Sequence, residues 1–280
     1  MKIDLIFITC NRLDYTKLAL PALLGDSSEE FSLTIWDNAS VDGSKDFLLS
    51  VNDRRIVEKV FSKENLGLRG AVNYLFNSSS AELVGIIPND LLVTPGWTCS
   101  LARAHADVSE FGLLGCWHLG REFFDESRAR HKIQTFGRHQ VVRHPWTGGA
   151  GGLIKLKAVR ECGLLESNAT PEYWRNMALK GYVNGYYYPL VYVEHMDYPW
   201  SEHFAFAGRL EEWARNSVGA GDHKFRNVED AKAWHKVVVG NVLDESWDVK
   251  YYVGWRGILR RIKKRIREFL GSKFPYSLRI

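Results

Sequence analysis

Cysteine is scarce in this chain. Cys10, Cys99, Cys116 and Cys162 are the only four in 280 residues, and none pairs at metal-ligand spacing or belongs to a disulfide framework. Reduced thiols in a cytoplasm are the expectation that follows. No apolar run reaches the ~18 residues that a membrane-spanning helix needs. The apolar opening, Ile3 to Ile8, is too short for a signal peptide and has no cleavage site, so it reads as a first β-strand. Internal repeats and low-complexity tracts are also missing. With 45 % apolar and 25 % charged residues, this excludes a disordered chain, a coiled coil and a collagen-like array.

Charge is present but unevenly spread. From Lys250 to Ile280 there are ten basic residues against the single acid Glu268, a net of +9, so the preceding residues carry −5 of the chain's total of +4. Such an asymmetry points to an anionic partner for the tail. Within it, Trp255, Ile258, Leu259, Ile262, Ile266, Phe269 and Leu270 follow helical spacing. Arg256, Arg260, Lys263, Lys264 and Arg267 fill the other face. A basic amphipathic helix with aromatic residues on its apolar side is the pattern of a helix lying on a membrane surface. No nucleic-acid recognition motif accompanies the charge.

The first hundred residues alternate strand and helix signals. Strands are expected at Ile3–Thr9, Leu33–Asp37, Ile56–Phe61 and Leu83–Ile87. Helices are expected at Asp14–Leu24 (with an irregularity at Pro21), Asp42–Ser50, Arg69–Asn77 and Trp97–Ala106. This order with short connections predicts a mainly parallel sheet flanked by helices, whose ligands sit beyond the carboxyl ends of the strands. Further on, Gly112–Trp117 reads as a strand, Arg121–His131 as a polar loop and Thr147–Gly152 as a glycine-rich turn. A strand at Leu153–Leu156, helices near Ala158–Cys162 and Glu172–Lys180, and strands at Tyr182–Tyr188 and Leu190–His195 follow, with mixed helix signals from Glu202 to Val242.

The strand ends are polar. They read Thr9-Cys10-Asn11-Arg12, then Asp37-Asn38-Ala39-Ser40, then Asn65-Leu66-Gly67, then Pro88-Asn89-Asp90. Each alone is ordinary turn chemistry. At one edge of one parallel sheet they would bring together amide donors, a cation (Arg12 or Arg69) and two carboxylates (Asp37 and Asp90). That mix suits a nucleoside diphosphate and a divalent metal. His195, at a strand end beside Glu194 and Asp197, is a further candidate. The glycines of Thr147–Gly152 lack the strand-turn-helix dinucleotide fingerprint and suit close backbone approach instead. Trp97, Trp117, Trp146, Trp174 and Trp200 read mainly as core, with one or two available for stacking on a ligand.

The run IFITCNR, IWDNASVDGS, ENLGLRGAVN and IIPNDLLVTPGW resembles, in order and spacing, the amino-terminal half of the family 2 glycosyltransferases with the GT-A fold. The later GGAGGLIKLKAVRECGLL and KGYVNGYYYPLVYVEH resemble that family's acceptor-side segments, so the likeness covers roughly Ile3 to His195. The resemblance implies an α/β GT-A nucleotide-diphospho-sugar transferase fold with a C-terminal helical extension. Residues 1–200 would be catalytic, 1–97 holding the nucleotide and 98–200 the acceptor side. Residues 201–249 would be the helical extension and 250–280 the basic amphipathic tail. It further implies sugar transfer from a nucleoside-diphosphate sugar to an acceptor hydroxyl, with inversion, in surface glycan synthesis. A glycan or lipid-linked glycan would be the acceptor, and the enzyme would sit peripherally on the inner membrane face.

Position by position, the resemblance places Thr9, Asn11, Arg12, Asp37, Asn38, Asn65, Gly67, Arg69, Asn73 and Asn89 along the nucleotide. Asp90 and His195 would stand on Mg²⁺ or Mn²⁺, and Glu172, with Glu166 as rival, would be the base. Three departures stand out. Pro88 replaces the first acid of the family's D-x-D segment, Cys10 stands where tyrosine is usual, and the E-D-x-D base motif survives only at Glu172, its first position being Ala169. A non-catalytic nucleotide-sugar or glycan-binding module derived from this family is the alternative reading. A nucleotidyltransferase would need a glycine-rich loop after the first strand, which TCNRLDY lacks.

Overall fold

The computed structural model describes residues 1–25, 30–168, 170–211, 213 and 225–262. Strands β1 (Ile3–Thr9), β2 (Ser32–Asp37), β3 (Ile56–Phe61) and β4 (Leu83–Pro88) alternate with helices α1 (Leu13–Gly25), α2 (Ser44–Ser50) and α3 (Gly67–Ser78). Short strand β5 (Leu91–Leu92) leads into α4 (Trp97–Asp107). Then come β6 (Phe111–Gly115), α5 (Glu126–Ala129), the hairpin β7 (Ile133–Phe136) and β8 (His139–Arg143), β9 (Gly152–Lys155), α6 (Leu156–Cys162) and α7 (Thr170–Leu179). Strands β10 (Val183–Tyr188) and β11 (Glu194–His195) and helix α8 (Val228–Asp244) follow.

Nine strands form one sheet in the order β3-β2-β1-β4-β9-β6-β10-β8-β7. β1 runs parallel to β2 and β4, β2 to β3, and β6 to β10. β9 is antiparallel between β4 and β6 and joins the two halves of the chain in one sheet. Helices cover both faces, which is why β1 reads as a continuous apolar run rather than an alternation. Leu5 and Phe7 pack with Leu20, Leu23, Leu33 and Ile35 on one side. Ile6 and Ile8 pack with Val72, Leu75 and Ile86 on the other. A third cluster docks α8, through Val239 and Leu243, onto Trp117, Val142 and Tyr186.

Several local expectations are corrected. The Arg121–His131 segment holds a 3₁₀ turn at Arg121–Phe123 and then α5, whose N-cap Asp125 accepts from the Arg128 amide. A polar four-residue helix has no apolar stripe to betray it. The hairpin β7–β8 was not foreseen; it turns at Gly137, φ 58°. Of Leu190–His195 only Glu194–His195 forms a strand, paired antiparallel with β5, because the preceding residues hydrogen-bond singly across Trp117. α1 continues through Pro21, which faces solvent.

In the tail, residues 254–262 are helical. Trp255, Ile258, Leu259 and Ile262 are all exposed. Arg260, expected on the free basic face, instead forks onto Glu245 at 2.6 and 2.9 Å. Tyr252, just upstream, is buried against Trp146. The part of the tail from Lys263 on, including Lys264, Arg267, Ile266, Phe269 and Leu270, lies outside the described residues.

Candidate active site

The register of the sheet puts the polar strand ends side by side. Thr9 is opposite Asp37 on β2, and Ile8 is opposite Pro88 on β4, so Asn89 and Asp90 emerge next to Thr9. This edge is strained. Asn11, Arg12 and Ala39, the described residues other than glycine with positive φ, lie in the two loops leaving β1 and β2 at 57°, 60° and 61°. Non-glycine residues hold such angles only where their surroundings impose them. Here the surroundings are a hydrogen-bond net. The Asn89 side-chain nitrogen Nδ2 donates to Thr9 Oγ1, the Asn11 carbonyl and Thr16 Oγ1 at 2.9–3.0 Å. The Asn11 amide donates to Ser40 Oγ at 2.7 Å, and Asn11 Oδ1 accepts from the Val41 amide at 2.8 Å.

The net divides the expected nucleotide-side residues into two groups. Thr9, Asn11 and Asn89 are spent on holding the loops. Asn38 likewise donates to Asn65 Oδ1 at 2.7 Å and accepts from the Leu66 amide at 2.8 Å, while Asn65 Oδ1 also caps the Gly67 amide. Asn73 forms a reciprocal pair with the backbone of Leu165, both bonds at 2.9 Å, so it anchors the 163–168 loop rather than flooring a pocket. Gly67 is obligatory: it sits at φ 66°, and a Cβ there would lie 2.7 Å from the Asn168 side chain. Asp37 belongs to the other group. It is 2 % exposed, its Oδ2 takes only a 3.3 Å bond from the Ser40 amide, and its buried Oδ1 has no protein partner.

Asp90 is similar. Arg12 Nη1 lies 3.2 Å from its Oδ2 and 3.3 Å from Asp197 Oδ2, bridging the two carboxylates. Asp90 Oδ1 is buried with no partner. The β5–β11 pairing sets His195 across from Leu91, and the Met196 amide donates to the Asp90 carbonyl at 2.8 Å. His195 Nδ1 is buried and also without a partner, and its ring stacks on Tyr198 at 4.5 Å and 18°.

Three members of this cluster, Asp197, Tyr15 and His118, were not among the site residues picked out from sequence. Asp197 is 5 % exposed, and burial raises its carboxyl above the usual range against the opposing pull of Arg12. Tyr15 stands over it, its hydroxyl within reach of Asp197 Oδ1 and fixed by the Ala205 amide. His118 follows β6 and comes to 6.4 Å, ring to ring, from His195; burial lowers it to about 4, which keeps the imidazole neutral. For Asp197 and His118 the only sequence signal was a place just beyond a strand end, and Tyr15 lies within α1. Cys10, half-buried and accepting from Asn65 Nδ2 at 3.4 Å, is raised by burial and by Asp37, the opposite of a reactive thiolate.

The two candidate bases sit on the loop and helix beyond α6. Arg69 connects that loop to the start of α3: its amide donates to Asn168 Oδ1 at 2.8 Å, and its guanidinium reaches the Glu166 carbonyl at 3.4 Å. Glu166 is exposed at this lip. Glu172, in the first turn of α7, has its side chain 82 % exposed and paired with Arg175 at 3.5 Å. The Gly148–Gly152 turn lies alongside, bridged to β4 through Ala150 and Ile86. A Cβ on Gly149, φ 80°, would meet the Trp174 ring at 2.6 Å.

Two other features draw attention and carry less. A cavity of about 1030 Å³ is lined by Glu82, Glu110, Lys155 and Arg160, among others, at the opposite, amino-terminal end of the strands, away from the ends just described. Glu194, Glu202 and His203 bring potential ligand atoms within 4.8 Å of one another. Glu194 Oε1 already accepts from Ser201 and from His203 at 2.7 and 2.9 Å, so the group is satisfied by itself.

A helix-covered, mostly parallel sheet with a polar, strained crevice beyond β1, β2 and β4 is the architecture of GT-A glycosyltransferases. The chain belongs to glycosyl transferase family 2, whose model matches residues 4–154. Membership makes it a glycosyltransferase, a class that draws its sugar from a nucleotide sugar. Among solved structures it is similar to the mannosyltransferase PcManGT of Pyrobaculum calidifontis, in complex with GDP-Man and Mn²⁺. The TM-score is 0.57 and the identity 16 %, over 95 % of this chain and 80 % of that one. It is also similar to residues 1–349 of S. aureus TarS, at TM-score 0.53 and 13 % identity over 86 % and 72 % of the two chains. A structure of the same TarS fragment with UDP gives 0.52 and 13 %, over 97 % and 79 %. At these identities the likeness is one of fold. No curated protein matches the chain.

Proposed function

We propose that the crevice at Asp37, Arg12 and Asp90 binds a nucleoside-diphosphate sugar, and that the enzyme transfers a hexosyl or related unit to an acceptor hydroxyl with inversion. One observation carries this. Two buried carboxylate oxygens, Asp37 Oδ1 and Asp90 Oδ1 at the ends of β2 and β4, and the ring nitrogen His195 Nδ1 on β11, which pairs with β5, are left without protein partners. Buried polar atoms are ordinarily paired, so unpaired ones at a strand-end crevice are waiting for a ligand. In this reading residues 1–97 hold the nucleotide and 98–200 the acceptor side. Asp37 accepts from the base or ribose, and Arg12 turns from its two carboxylates toward the diphosphate.

Mg²⁺ or Mn²⁺ suits Asp90 and His195. The two unpartnered atoms are a hard oxygen and an imidazole nitrogen, and Asp90 and Asp197 outnumber Arg12 in charge. One carboxylate suffices where phosphate oxygens supply the rest. The Mn²⁺ in the PcManGT complex supports this assignment. A bound cation would neutralise charge on the departing diphosphate. The residues perform the remainder. The acceptor oxygen bonds C1 from the face opposite the diphosphate, and the C1–O bond breaks with its electron pair leaving on the nucleoside diphosphate. The acceptor proton passes to a carboxylate, Glu166 or Glu172. Glu166 is favoured because its backbone is tied to Arg69 at the crevice lip.

The acceptor in this reading is a glycan or lipid-linked glycan in surface polysaccharide synthesis at the inner face of a membrane. The exposed Trp255, Ile258, Leu259 and Ile262 support it, since they form an apolar stripe beside a strongly basic tail. Pro88 and the Ala169-Thr170 pair, where the family carries acids, favour a second reading, a non-catalytic nucleotide-sugar-binding module. A panel of nucleotide sugars, read by released nucleoside diphosphate with and without Mn²⁺, separates the two. Release from one donor supports the enzyme, and binding of donor without any release supports the module.

A further inference from the structure

The ring of His195, proposed to stand with Asp90 on the donor's metal ion, is not fixed by hydrogen bonds. Its Nδ1 is buried without a partner, and among the described residues none bonds its Nε2. An imidazole that ligates a metal ordinarily gives its other nitrogen to a carboxylate or a backbone carbonyl, and that bond sets the plane of the ring. Here the restraint has another source. We infer that Tyr198 is a positioning residue, whose ring holds the His195 imidazole in the plane that aims a nitrogen at the metal on the donor diphosphate. The inference deepens the donor-site reading and rests on it.

The local fold delivers the Tyr198 ring. β11 pairs with β5, and the Met196 amide donates to the Asp90 carbonyl at 2.8 Å, so the backbone at His195 is tied to the strand end that carries Asp90. The chain then turns. The Tyr198 amide donates to the His195 carbonyl at 3.2 Å, and the Ser201 amide to the Tyr198 carbonyl at 2.8 Å. A turn closed between residues three apart brings its first and last side chains together. The two rings lie 4.5 Å apart and 18° from parallel. A face-to-face contact at this spacing leaves the imidazole little room to rotate out of its plane.

Tyr198 is itself braced. Trp200 lies on it at 4.8 Å and 17°, and His235 of α8 meets it at 4.5 Å and 57°. Trp200 is held in turn by Phe123 at 5.4 Å and by His235 at 4.9 Å. His235 is 3 % exposed, and its Nε2 lies 2.9 Å from the Leu119 carbonyl. A column of rings thus runs from the packed face of α8 to His195. Among the described residues none bonds the Tyr198 hydroxyl, so the side chain acts through its ring. This gives α8, which lies beyond the residues 4–154 of the family match, a part in shaping the donor site.

The test is Mn²⁺ binding to the full chain, read from the electron paramagnetic resonance of the free ion, with UDP and with GDP as probes. The parent is compared with Tyr198→Phe and Tyr198→Leu. The inference expects the parent to take up Mn²⁺ with one of the two nucleotides, and Tyr198→Phe, which keeps the ring, to match it. Tyr198→Leu should lose about tenfold or more in Mn²⁺ affinity, the range for removing a group that orients a ligand. Affinity for the same nucleotide in EDTA should be equal in all three. A second measurement needs no change at Tyr198. In the proton spectrum of the parent, the ring signals of His195, assigned by their loss in His195→Gln, should lie upfield of free histidine because they sit over the Tyr198 ring. Parental Mn²⁺ affinity in Tyr198→Leu, an equal loss in Tyr198→Phe, a matching loss of nucleotide affinity in EDTA, or unshifted His195 signals each overturn the inference. If the parent itself takes up no Mn²⁺ with either nucleotide, the metal assignment of the donor site falls and carries this inference with it. If the parent binds the ion and Tyr198→Leu binds it equally, the donor site stands and only the role of Tyr198 falls.

Discussion

The Arg12 guanidinium stands 3.2 Å from the Asp90 carboxylate, joining the loop after β1 to the end of β4 across 78 residues of sequence. The same nitrogen holds Asp197 at 3.3 Å, and the Arg12 side chain is 23 % exposed. Arg12 thus bridges two carboxylates that outnumber it in charge, and Asp90 keeps a second, buried oxygen without a partner. A cation–carboxylate contact at this exposure is a modest source of stability. Its position at a strained strand end points to function. Arg12→Ala should weaken nucleoside-diphosphate binding by calorimetry more than it lowers the melting temperature. A loss confined to stability would make the pair structural.

Asp37 gives a cleaner test of the nucleotide site, because one of its oxygens is buried and unused. Asp37→Ala should cost ~1–3 kcal/mol of nucleoside-diphosphate affinity, the range for removing a partner from a charged hydrogen bond. Calorimetry that finds the same affinity in variant and parent would remove Asp37 from the site.

The first ninety residues were largely legible because both physical signals were strong there. Apolar runs marked strands covered on two faces, and the polar strand ends fell at one edge once the strands paired in register. The hairpin β7–β8 was hard to read, since Ile133–Arg143 lacks a clean alternation and its two-residue turn is Gly137-Arg138 rather than the stronger Asn-Gly or Asp-Gly. Asp197 and His118 were missed for another reason. Their role depends on β11 pairing with β5 and on β6 ending beside it, contacts between segments about a hundred residues apart. The nucleotide-side asparagines read alike in sequence. Only the hydrogen-bond net separates Asn11, Asn38, Asn73 and Asn89, which hold loops, from Asp37 and Asp90, which retain unpaired atoms.

The base is assigned by comparing two variants. Glu166→Gln and Glu172→Gln should both leave donor binding intact, and the one that removes the base should lower the transfer rate by ~10²-fold or more. The tie between Arg69 and the 166 backbone makes Glu166 the expected one. Loss of donor affinity in step with rate would instead mark the residue as structural.

Lys132 predicts a pH dependence of stability. It is fully buried, with its Nζ 2.7 Å from His144 Nδ1 and 2.5 Å from the Val242 carbonyl, fastening the hairpin to α8. Burial lowers it to about 7, against ~10.4 in an unfolded chain. Between those values the unfolded chain binds a proton that the folded one does not, so this group makes stability rise with pH across that window and adds no slope below it. Urea denaturation at several pH values should show the slope in the parent chain and a flatter one in Lys132→Met. Parallel curves would mean that Lys132 is charged in the fold.

The tail is tested with liposomes. Because Tyr252 and Arg260 are docked on the body, truncation should follow Ile262, which removes six basic residues and one acid. Each basic residue near an anionic leaflet contributes ~1 kcal/mol, screened over a Debye length of roughly 8 Å. The full chain should sediment with anionic vesicles, less so as salt rises, and the shortened chain should do so more weakly. Equal sedimentation of the two would exclude the tail as an anchor.

The central claim is that the crevice at Asp90 is the donor site of a transferase. Its most direct test is nucleoside-diphosphate release from nucleotide sugars by the parent chain and by Asp90→Asn, in Mn²⁺ and in EDTA, with thermal melts of both proteins alongside. The account predicts Mn²⁺-stimulated release by the parent from one donor, release abolished in Asp90→Asn, and matching melting temperatures. Near-parental release by Asp90→Asn in Mn²⁺ would contradict it.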